Sequence, residues 1–168
     1  MNIDLTEPIP GASHFCWHEM VRTNHRAWVH RNRQVPIAFR GAGIALATLL
    51  EEVRTLLGDH PVIVHSGWRC PGLNEAIGGS ETSQHCKFQA ADFHVLNIGL
   101  SDVFGRIRAS ELAWGQLIAE GWDPLAGDIA WIHLSLGHPW RAAEKSQQVW
   151  VMSLKRRTEG RPAYERLS

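Results

Sequence analysis

The sequence is poor in cysteine, and the few cysteines that it has are not spaced as pairs. Three occur in 168 residues, Cys16, Cys70 and Cys86, and none of them belongs to a C-x-x-C motif. An odd number of unpaired cysteines argues against a disulfide framework. We therefore expect a protein that is made in the cytoplasm with reduced thiols.

Long apolar runs and an excess of charge are also absent. The chain has no run of 18 apolar residues and no basic N-terminal segment followed by an apolar stretch, so neither a membrane span nor a signal peptide is predicted. Lysine plus arginine and aspartate plus glutamate number 17 each, which gives no overall field to attract nucleic acid or a membrane. The cations that do cluster lie in a predicted C-terminal tail, 153–168: Lys155, Arg156, Arg157, Arg161 and Arg166.

The composition and patterning are those of a single α+β domain covering residues 1–168, with a core from about residue 13 to residue 152. Apolar residues make up 44% of the chain and charged residues 20%, and this length is sufficient to bury a core. Helices are predicted at 15–31, 43–57 and 101–109, and strands at 61–66, 90–96, 114–120, 129–136 and 148–152. We expect a small antiparallel sheet with the helices on one side and a cleft on the other, in a monomer.

Two of the predicted strands each carry a possible metal ligand on a polar face. In residues 90–96 (A-A-D-F-H-V-L), alternation places Asp92 and His94 on one face and the larger apolar residues on the other. In residues 130–136 (A-W-I-H-L-S-L), the same alternation separates His133 from the apolar face. The two strands thus present a carboxylate and an imidazole on polar faces.

A third possible ligand, His85, lies seven residues before Asp92 on a turn-rich stretch that can fold back toward the same point. Two imidazoles and one carboxylate are a ligand set that zinc accepts in catalytic sites, with the fourth position left for water. Cys86 is an alternative thiolate ligand, but adjacent residues rarely point to one spot. We therefore interpret Cys86 as a packed thiol.

Five short motifs, in order along the chain, resemble those of a known peptidase family. They are S-G-W-R at 66–69, N-x-x-x-G-G-S at 74–80, S-Q-H at 83–85, A-A-D at 90–92 and W-I-H-L-S at 131–135. The run resembles the M15 family of zinc peptidases, the group of D-Ala-D-Ala carboxypeptidases and phage endolysins, from about Phe15 to about Val151. The resemblance implies a fold like that of hedgehog proteins and D-Ala-D-Ala peptidases, and cleavage of peptidoglycan stem peptides.

The resemblance also assigns roles to individual residues. It implies one zinc ion on His85, Asp92 and His133, an Arg69 that stabilises the charged intermediate, and a Ser83 that contacts the substrate backbone. In such a site zinc lowers the pKa of a bound water to roughly 7, and a nearby carboxylate takes the proton as the water attacks. Arginine suits its role because the guanidinium is planar and always charged.

Two positions depart from the family pattern. Many members have a glycine between the first ligand and A-A-D, where this chain has Phe88, so the cleft floor is expected to be more apolar. Many also have an acidic general base three residues before the last histidine, where this chain has Ala130. The base must then come from elsewhere. Glu120, at the end of a predicted strand that can pair with the His133 strand, is the first candidate, and Asp128 is the second.

The sequence as a whole predicts a zinc peptidase that cleaves peptidoglycan stem peptides, of the single-domain phage or prophage endolysin kind. Made without a signal peptide, it would act on the cell wall after release. A D-alanyl-D-alanine carboxypeptidase is the alternative within the same enzyme class. A zinc-binding phage structural protein that has lost catalysis is the alternative from another class, and Ala130 and Phe88 favour it.

Overall fold

The computed structural model describes residues 1–123, 127–137, 147–153 and 164–167. The chain forms two compact units, one of Met1–Glu51 with Val64–Asp92 and the other of Glu52–Ile63 with Phe93–Ser168. The described α-helices are α1 Trp17–Met20, α2 Val29–Asn32, α3 Arg40–Leu56, α4 Pro71–Ala76 and α5 Leu100–Ala109. Short 3-10 helices occupy Arg26–Trp28, Ile37–Phe39 and Gln84–Lys87. No helix within the described ranges is long and apolar enough to cross a membrane.

The predicted helix at 15–31 is divided into α1, the 3-10 helix Arg26–Trp28 and α2, because bonds from distant residues end α1. The backbone N–H of Trp68 donates to the Met20 carbonyl at 2.8 Å, and the side-chain amide of Asn32 donates to the Val21 carbonyl at 2.8 Å. Carbonyls that accept these bonds need no partner in a further helical turn. The prediction of one continuous helix was therefore wrong.

The other predicted helices are confirmed, with small changes at their ends. Helix α3 begins three residues before the predicted start, and it is followed by Gly58 at φ +76°, a left-handed conformation that glycine adopts without strain. Helix α4 was not predicted. Pro71 at its first position was a usable signal, since proline is favoured where a helical N–H has no partner in any case.

Within the described ranges, six strands form one mixed sheet, which confirms the α+β class. They are β1 Val62–Ser66, β2 Ala90–Val95, β3 Trp114–Glu120, β4 Trp131–Leu136, β5 Gln148–Met152 and β6 Tyr164–Leu167, in the order β1-β2-β4-β3-β5-β6. The sheet is not wholly antiparallel as predicted, because β5 runs parallel to β3. Strand β6 lies within the predicted basic tail, whose other cations, Lys155, Arg156, Arg157 and Arg161, fall outside the described residues.

The predicted hairpin of β3 and β4 is confirmed, and its register decides which side chains share a face. The two strands are antiparallel, with Ile118 opposite His133 and Glu120 opposite Trp131. Residues directly opposite each other point to the same face, and so do residues two apart on one strand. Glu120 and His133 therefore lie on the same face of the hairpin.

An aromatic cluster fills the core of the first unit. The Phe88 ring is fully buried, and its centroid lies 5.9 Å from those of Trp17 and Trp68. Its backbone is left-handed, at φ +58°, which costs a residue other than glycine about 1–2 kcal/mol. Burying a phenylalanine side chain contributes about 1.5–3 kcal/mol, which offsets that cost. Phe88 therefore belongs to the core, and its ring has no exposed surface with which to form a cleft floor.

Gly43 on α3 makes room for this cluster, which leads to a stability prediction. A Cβ at this position would lie 2.8 Å from Trp17 Cζ3 and 2.9 Å from Phe88 Cε1. We expect Gly43→Ala to lower the free energy of unfolding by about 1–2 kcal/mol, because overpacking outweighs the better helix propensity of alanine. Gly41→Ala on the same helix, where a Cβ would meet nothing within 4 Å, should be neutral or stabilising. Urea denaturation of both variants tests this, and equal stabilities would contradict it.

Candidate metal centre

The structure holds His85 in one orientation and one tautomer. It lies in the 3-10 helix Gln84–Lys87 and is 3% exposed. Its Nδ1 lies 2.7 Å from the carbonyl oxygen of Gly67, which can only accept, so Nδ1 carries the proton and donates. This leaves a lone pair on Nε2 for a metal ion. A backbone carbonyl that fixes the tautomer of a ligand histidine is a common feature of metal sites.

Asp92 lies in the middle of β2 and faces both His85 and Arg69. It is 7% exposed, and Ala90, Ala91 and Phe93 are all fully buried, so both faces of β2 are covered here, where the alternation predicted a polar face for Asp92. Its Oδ1 lies 3.3 Å from Nε2 of His85, and its Oδ2 accepts a hydrogen bond from Nη2 of Arg69. One oxygen is thus held by a cation while the other faces the imidazole.

The contact between His85 and Asp92 requires a positive charge between them. A lone pair on Nε2 would otherwise face an anionic oxygen, so either a second proton on the ring or a metal ion must lie there. His133, half-buried on β4, adds a third group, and one ligand atom from each of the three residues lies within 4.8 Å of the others. A proton is shared between two acceptors, whereas zinc in catalytic sites takes three protein ligands, so the third group favours a metal ion.

The donor types and the separation of the His85 and Asp92 ligand atoms fit zinc. Two ligand atoms at about 2.0–2.1 Å from a tetrahedral zinc ion lie about 3.4 Å apart, and the His85 and Asp92 atoms are 3.3 Å apart. Two neutral imidazoles and one carboxylate leave a fourth position open, as in catalytic zinc sites. Cys86 is not part of the group. Burial raises the pKa of the Cys86 thiol, against the opposing effect of Arg69, which agrees with the interpretation of a packed thiol.

Arg69 is placed by two side-chain contacts and one backbone contact. Its Nε donates to Ser66 Oγ at 2.8 Å, its Nη2 donates to Asp92, and its backbone N–H donates to the carbonyl of His85 at 3.2 Å. These bonds hold the guanidinium against Oδ2 of Asp92. Two of its five N–H groups are used in these side-chain bonds. The sequence reasoning predicted a role toward the intermediate and missed this contact with Asp92.

Glu120 is better placed than Asp128 to act beside His133. It is 7% exposed, it shares the face of His133, and its Oε1 accepts a hydrogen bond from the Tyr164 hydroxyl at 3.4 Å. Its backbone carbonyl accepts from the N–H of Ala130 at 2.8 Å, so it lies beside the position where the family's acid is missing. Asp128 is exposed and forms an isolated β-bridge with Asp123 before β4.

Ser83 is the residue that precedes the 3-10 helix of His85. It is half-buried and its hydroxyl makes no capping bond, while its backbone carbonyl accepts from the N–H of Cys86 at 3.2 Å. Sequence reasoning gave no role to Gly67 or Ser66, although both belong to the S-G-W-R motif that was recognised. It also missed Tyr164, which lies 44 residues after Glu120 and has no local signal.

Comparison with known families agrees with this geometry. The Peptidase M15 family matches residues 13–119, which is more than half of the chain, and the chain therefore belongs to the M15 family of metal-dependent peptidases. The matched span contains Arg69, Ser83, His85 and Asp92, whereas Glu120 and His133 lie beyond it and are placed by the structure. No curated protein matches the chain.

Proposed function

We propose that this protein is a zinc peptidase that hydrolyses amide bonds in peptidoglycan stem peptides and acts as an endolysin. The observation that carries the proposal is the group of His85, Asp92 and His133, with Glu120 on the same hairpin face as His133. Membership of a peptidase family supports hydrolysis as the reaction. We further propose that it works as a monomer on the cell wall after release from the cytoplasm.

The mechanism assigns one task to each residue. Zinc bound to the three ligands would supply Lewis acidity and would lower the pKa of a water molecule. That water could then lose a proton and attack the amide near neutral pH. The carboxylate of Glu120 takes the proton of the attacking water and later gives it to the departing amine. Arg69 stabilises the negative charge that develops on the carbonyl oxygen. Ser83 binds the substrate backbone and keeps the scissile amide in register.

Two observations each favour an alternative function. The guanidinium of Arg69 would also suit the terminal carboxylate of a D-alanyl-D-alanine substrate, which is the carboxypeptidase alternative. Ala130, at the position of the missing acid, favours a zinc-binding phage structural protein without activity. For that alternative to hold, Glu120 must not replace the missing acid.

One experiment separates the three functions. The zinc-loaded protein is assayed by zymography on purified peptidoglycan, and the released peptides are identified by mass spectrometry. Internal cleavage of stem peptides or cross-links supports the endolysin. Release of D-alanine alone supports the carboxypeptidase. No release in the presence of stoichiometric zinc supports the structural protein and overturns the proposal.

Variants of Arg69 test whether it acts on the transition state. Arg69→Ala should lower kcat more than it raises KM, because the charge that it stabilises exists only as water adds to the carbonyl. The same change should weaken zinc binding about 10–100-fold through the loss of support for Asp92, so the assay needs saturating zinc. Arg69→Lys keeps the charge and loses the fork, and should recover part of the rate.

Ser66→Ala is the matched control for these variants, since it removes only the partner of Arg69 Nε. It should have a much smaller effect on kcat. If Arg69→Ala instead raised KM and left kcat intact, Arg69 would be a clamp for a substrate carboxylate, and the carboxypeptidase would become the better proposal.

A further inference from the structure

Asn32 is a fully buried polar residue of the first unit to which the proposed mechanism gives no task. It is the last residue of α2. Its Nδ2 donates to the carbonyl of Val21 at 2.8 Å and to the carbonyl of Trp68 at 3.1 Å, and its Oδ1 accepts from the backbone N–H of Cys70 at 2.8 Å. A buried amide costs free energy unless it is hydrogen-bonded, and these three bonds satisfy both its donor group and its acceptor.

Two of these bonds hold the peptide groups on either side of Arg69. The Trp68 carbonyl belongs to the peptide group before Arg69, and the Cys70 N–H belongs to the peptide group after it. Peptide groups are planar, so the backbone rotates only about the two bonds at the Cα of Arg69 that lies between them. A single side-chain amide bonded to both groups therefore fixes the φ and ψ angles of Arg69, and with them the direction in which its side chain leaves the backbone.

The segment that precedes Arg69 is also held against the end of α1. The backbone N–H of Trp68 donates to the Met20 carbonyl at 2.8 Å. A Cβ at Gly67 would lie 2.4 Å from the same carbonyl oxygen, so the close approach of the two segments requires glycine at this position. Asn32 bonds to both segments, through Val21 on one side and Trp68 on the other, and thus joins them.

The far end of the Arg69 side chain is held separately. Its Nε donates to Ser66 Oγ at 2.8 Å, and its Nη2 donates to Asp92. An arginine side chain is long and loses much rotational freedom when it is held in one place. Contacts at its end select one conformation only if the backbone at its start is fixed as well, and Asn32 fixes that backbone.

We propose that Asn32 is a positioning residue that acts through Arg69, because it holds the backbone from which the guanidinium reaches Asp92. Stabilisation of a developing charge depends on donors that are in place before the charge appears. Displacing such a group by about 1 Å can lower the rate up to about a hundredfold. The effect on the rate rests on the proposed function, whereas the placement of Arg69 against Asp92 does not.

The first test measures how fast the Nε–H proton of Arg69 exchanges with water, in NMR spectra of the full-length protein with zinc. The signal is identified by its loss in Arg69→Lys. In the unaltered protein we expect slow exchange, because Nε donates to Ser66 and the side chain is 17% exposed. In Asn32→Ala we expect exchange at least about tenfold faster, the scale of losing a hydrogen bond to a charged group.

Asn74→Ala is the matched control. Asn74 is also a buried asparagine of the first unit, but its side chain donates to the carbonyl of Ser80 at 2.9 Å and not to a neighbour of Arg69. Exchange at Arg69 should be unchanged in this variant.

Asn32→Ser is a second variant, which replaces Asn32→Ala throughout if the alanine protein does not fold by circular dichroism. A hydroxyl has one proton to donate, so it can hold only one of the two carbonyls that Asn32 holds. We expect an exchange rate between those of the unaltered protein and Asn32→Ala.

The second test is a double-mutant cycle of Asn32→Ala and Arg69→Ala, with kcat for peptide release measured at saturating zinc. If Asn32 acts through Arg69, Asn32→Ala should lower kcat about 10–100-fold when Arg69 is present. It should have little further effect when Arg69 is already alanine. A role in the fold alone would lower kcat by the same factor in both backgrounds.

The two measurements let this proposal and the proposed function fail separately. Unchanged exchange at Arg69 in a folded Asn32 variant, or equal losses of kcat in the two backgrounds, would overturn the role of Asn32 and leave the peptidase standing. Absence of hydrolysis by the unaltered, zinc-loaded protein would reject the peptidase. Exchange at Arg69 needs no substrate, and in that case it decides by itself whether Asn32 positions Arg69.

Discussion

Asp92→Ala is expected to abolish stoichiometric zinc and hydrolysis together. Asp92 supplies the only carboxylate of the ligand group and also accepts from Arg69, whose side chain is 17% exposed. Without Asp92, a largely buried guanidinium would stand beside the zinc position with no intervening anion. We expect zinc affinity to fall by at least about a hundredfold, more than the 10–100-fold typical of losing a supporting group. Metal content after dialysis and the rate of peptide release are the measurements.

Alanine at His85 or His133 should have the same effect as alanine at Asp92. Cys86→Ala is the control within this segment, because Cys86 follows His85 in the chain but does not belong to the ligand group; it should keep one zinc ion per chain. His94→Ala should keep it too. A His133→Ala protein with full zinc occupancy would contradict the assignment of the three ligands.

Glu120→Gln is expected to retain zinc and the fold but to lose rate by at least about a hundredfold, the usual scale of general-base catalysis. Glutamine has the same size and keeps an oxygen that can accept from Tyr164, so the buried site keeps its packing. It cannot take a proton from water. The measurement is kcat for peptide release at saturating zinc, with circular dichroism to compare the folds.

Asp128→Asn is the control for this variant, since Asp128 is the other acidic candidate and is exposed. It should leave the rate nearly unchanged. Near-normal turnover in Glu120→Gln together with a large loss in Asp128→Asn would move the role of general base to Asp128. Near-normal turnover in both variants would contradict a carboxylate base from this hairpin.

Much of the candidate site could be predicted because its residues stand in short local patterns. The alternation around His133 separates it from the buried residues Ile132 and Leu134, and the hairpin of β3 and β4 has the predicted partners. The turn residues before His85 predicted a loop there, and His85 lies in the 3-10 helix Gln84–Lys87 that directly follows them. Local patterns of this kind predict the conformation of a few neighbouring residues. They do not predict contacts between residues that are far apart in the sequence.

The contacts of the charged residues could not be predicted in the same way. Arg69 and Asp92 are separated by 23 residues, and Tyr164 and Glu120 by 44. An arginine in a motif can face a substrate, a ligand residue or both, and only the folded backbone decides which oxygen lies within reach. Phe88 is a further case, because its ring packs into the aromatic core even though its place in the motif suggested a cleft.

The sequence by itself determined the class of the fold, the three residue types that can bind a metal ion, and the end of α3 just before Gly58. Each of these properties depends on residues that are close together in the sequence. The relevant signals are the period of the hydrophobic residues, the residue types that favour turns, and the spacing within motifs. The tertiary structure alone decided that β5 runs parallel to β3, that the register of β3 against β4 shifts between Trp114 and Leu117, and that α1 stops at Met20. These features depend on hydrogen bonds between distant segments, and such bonds are selected only when the whole chain has folded.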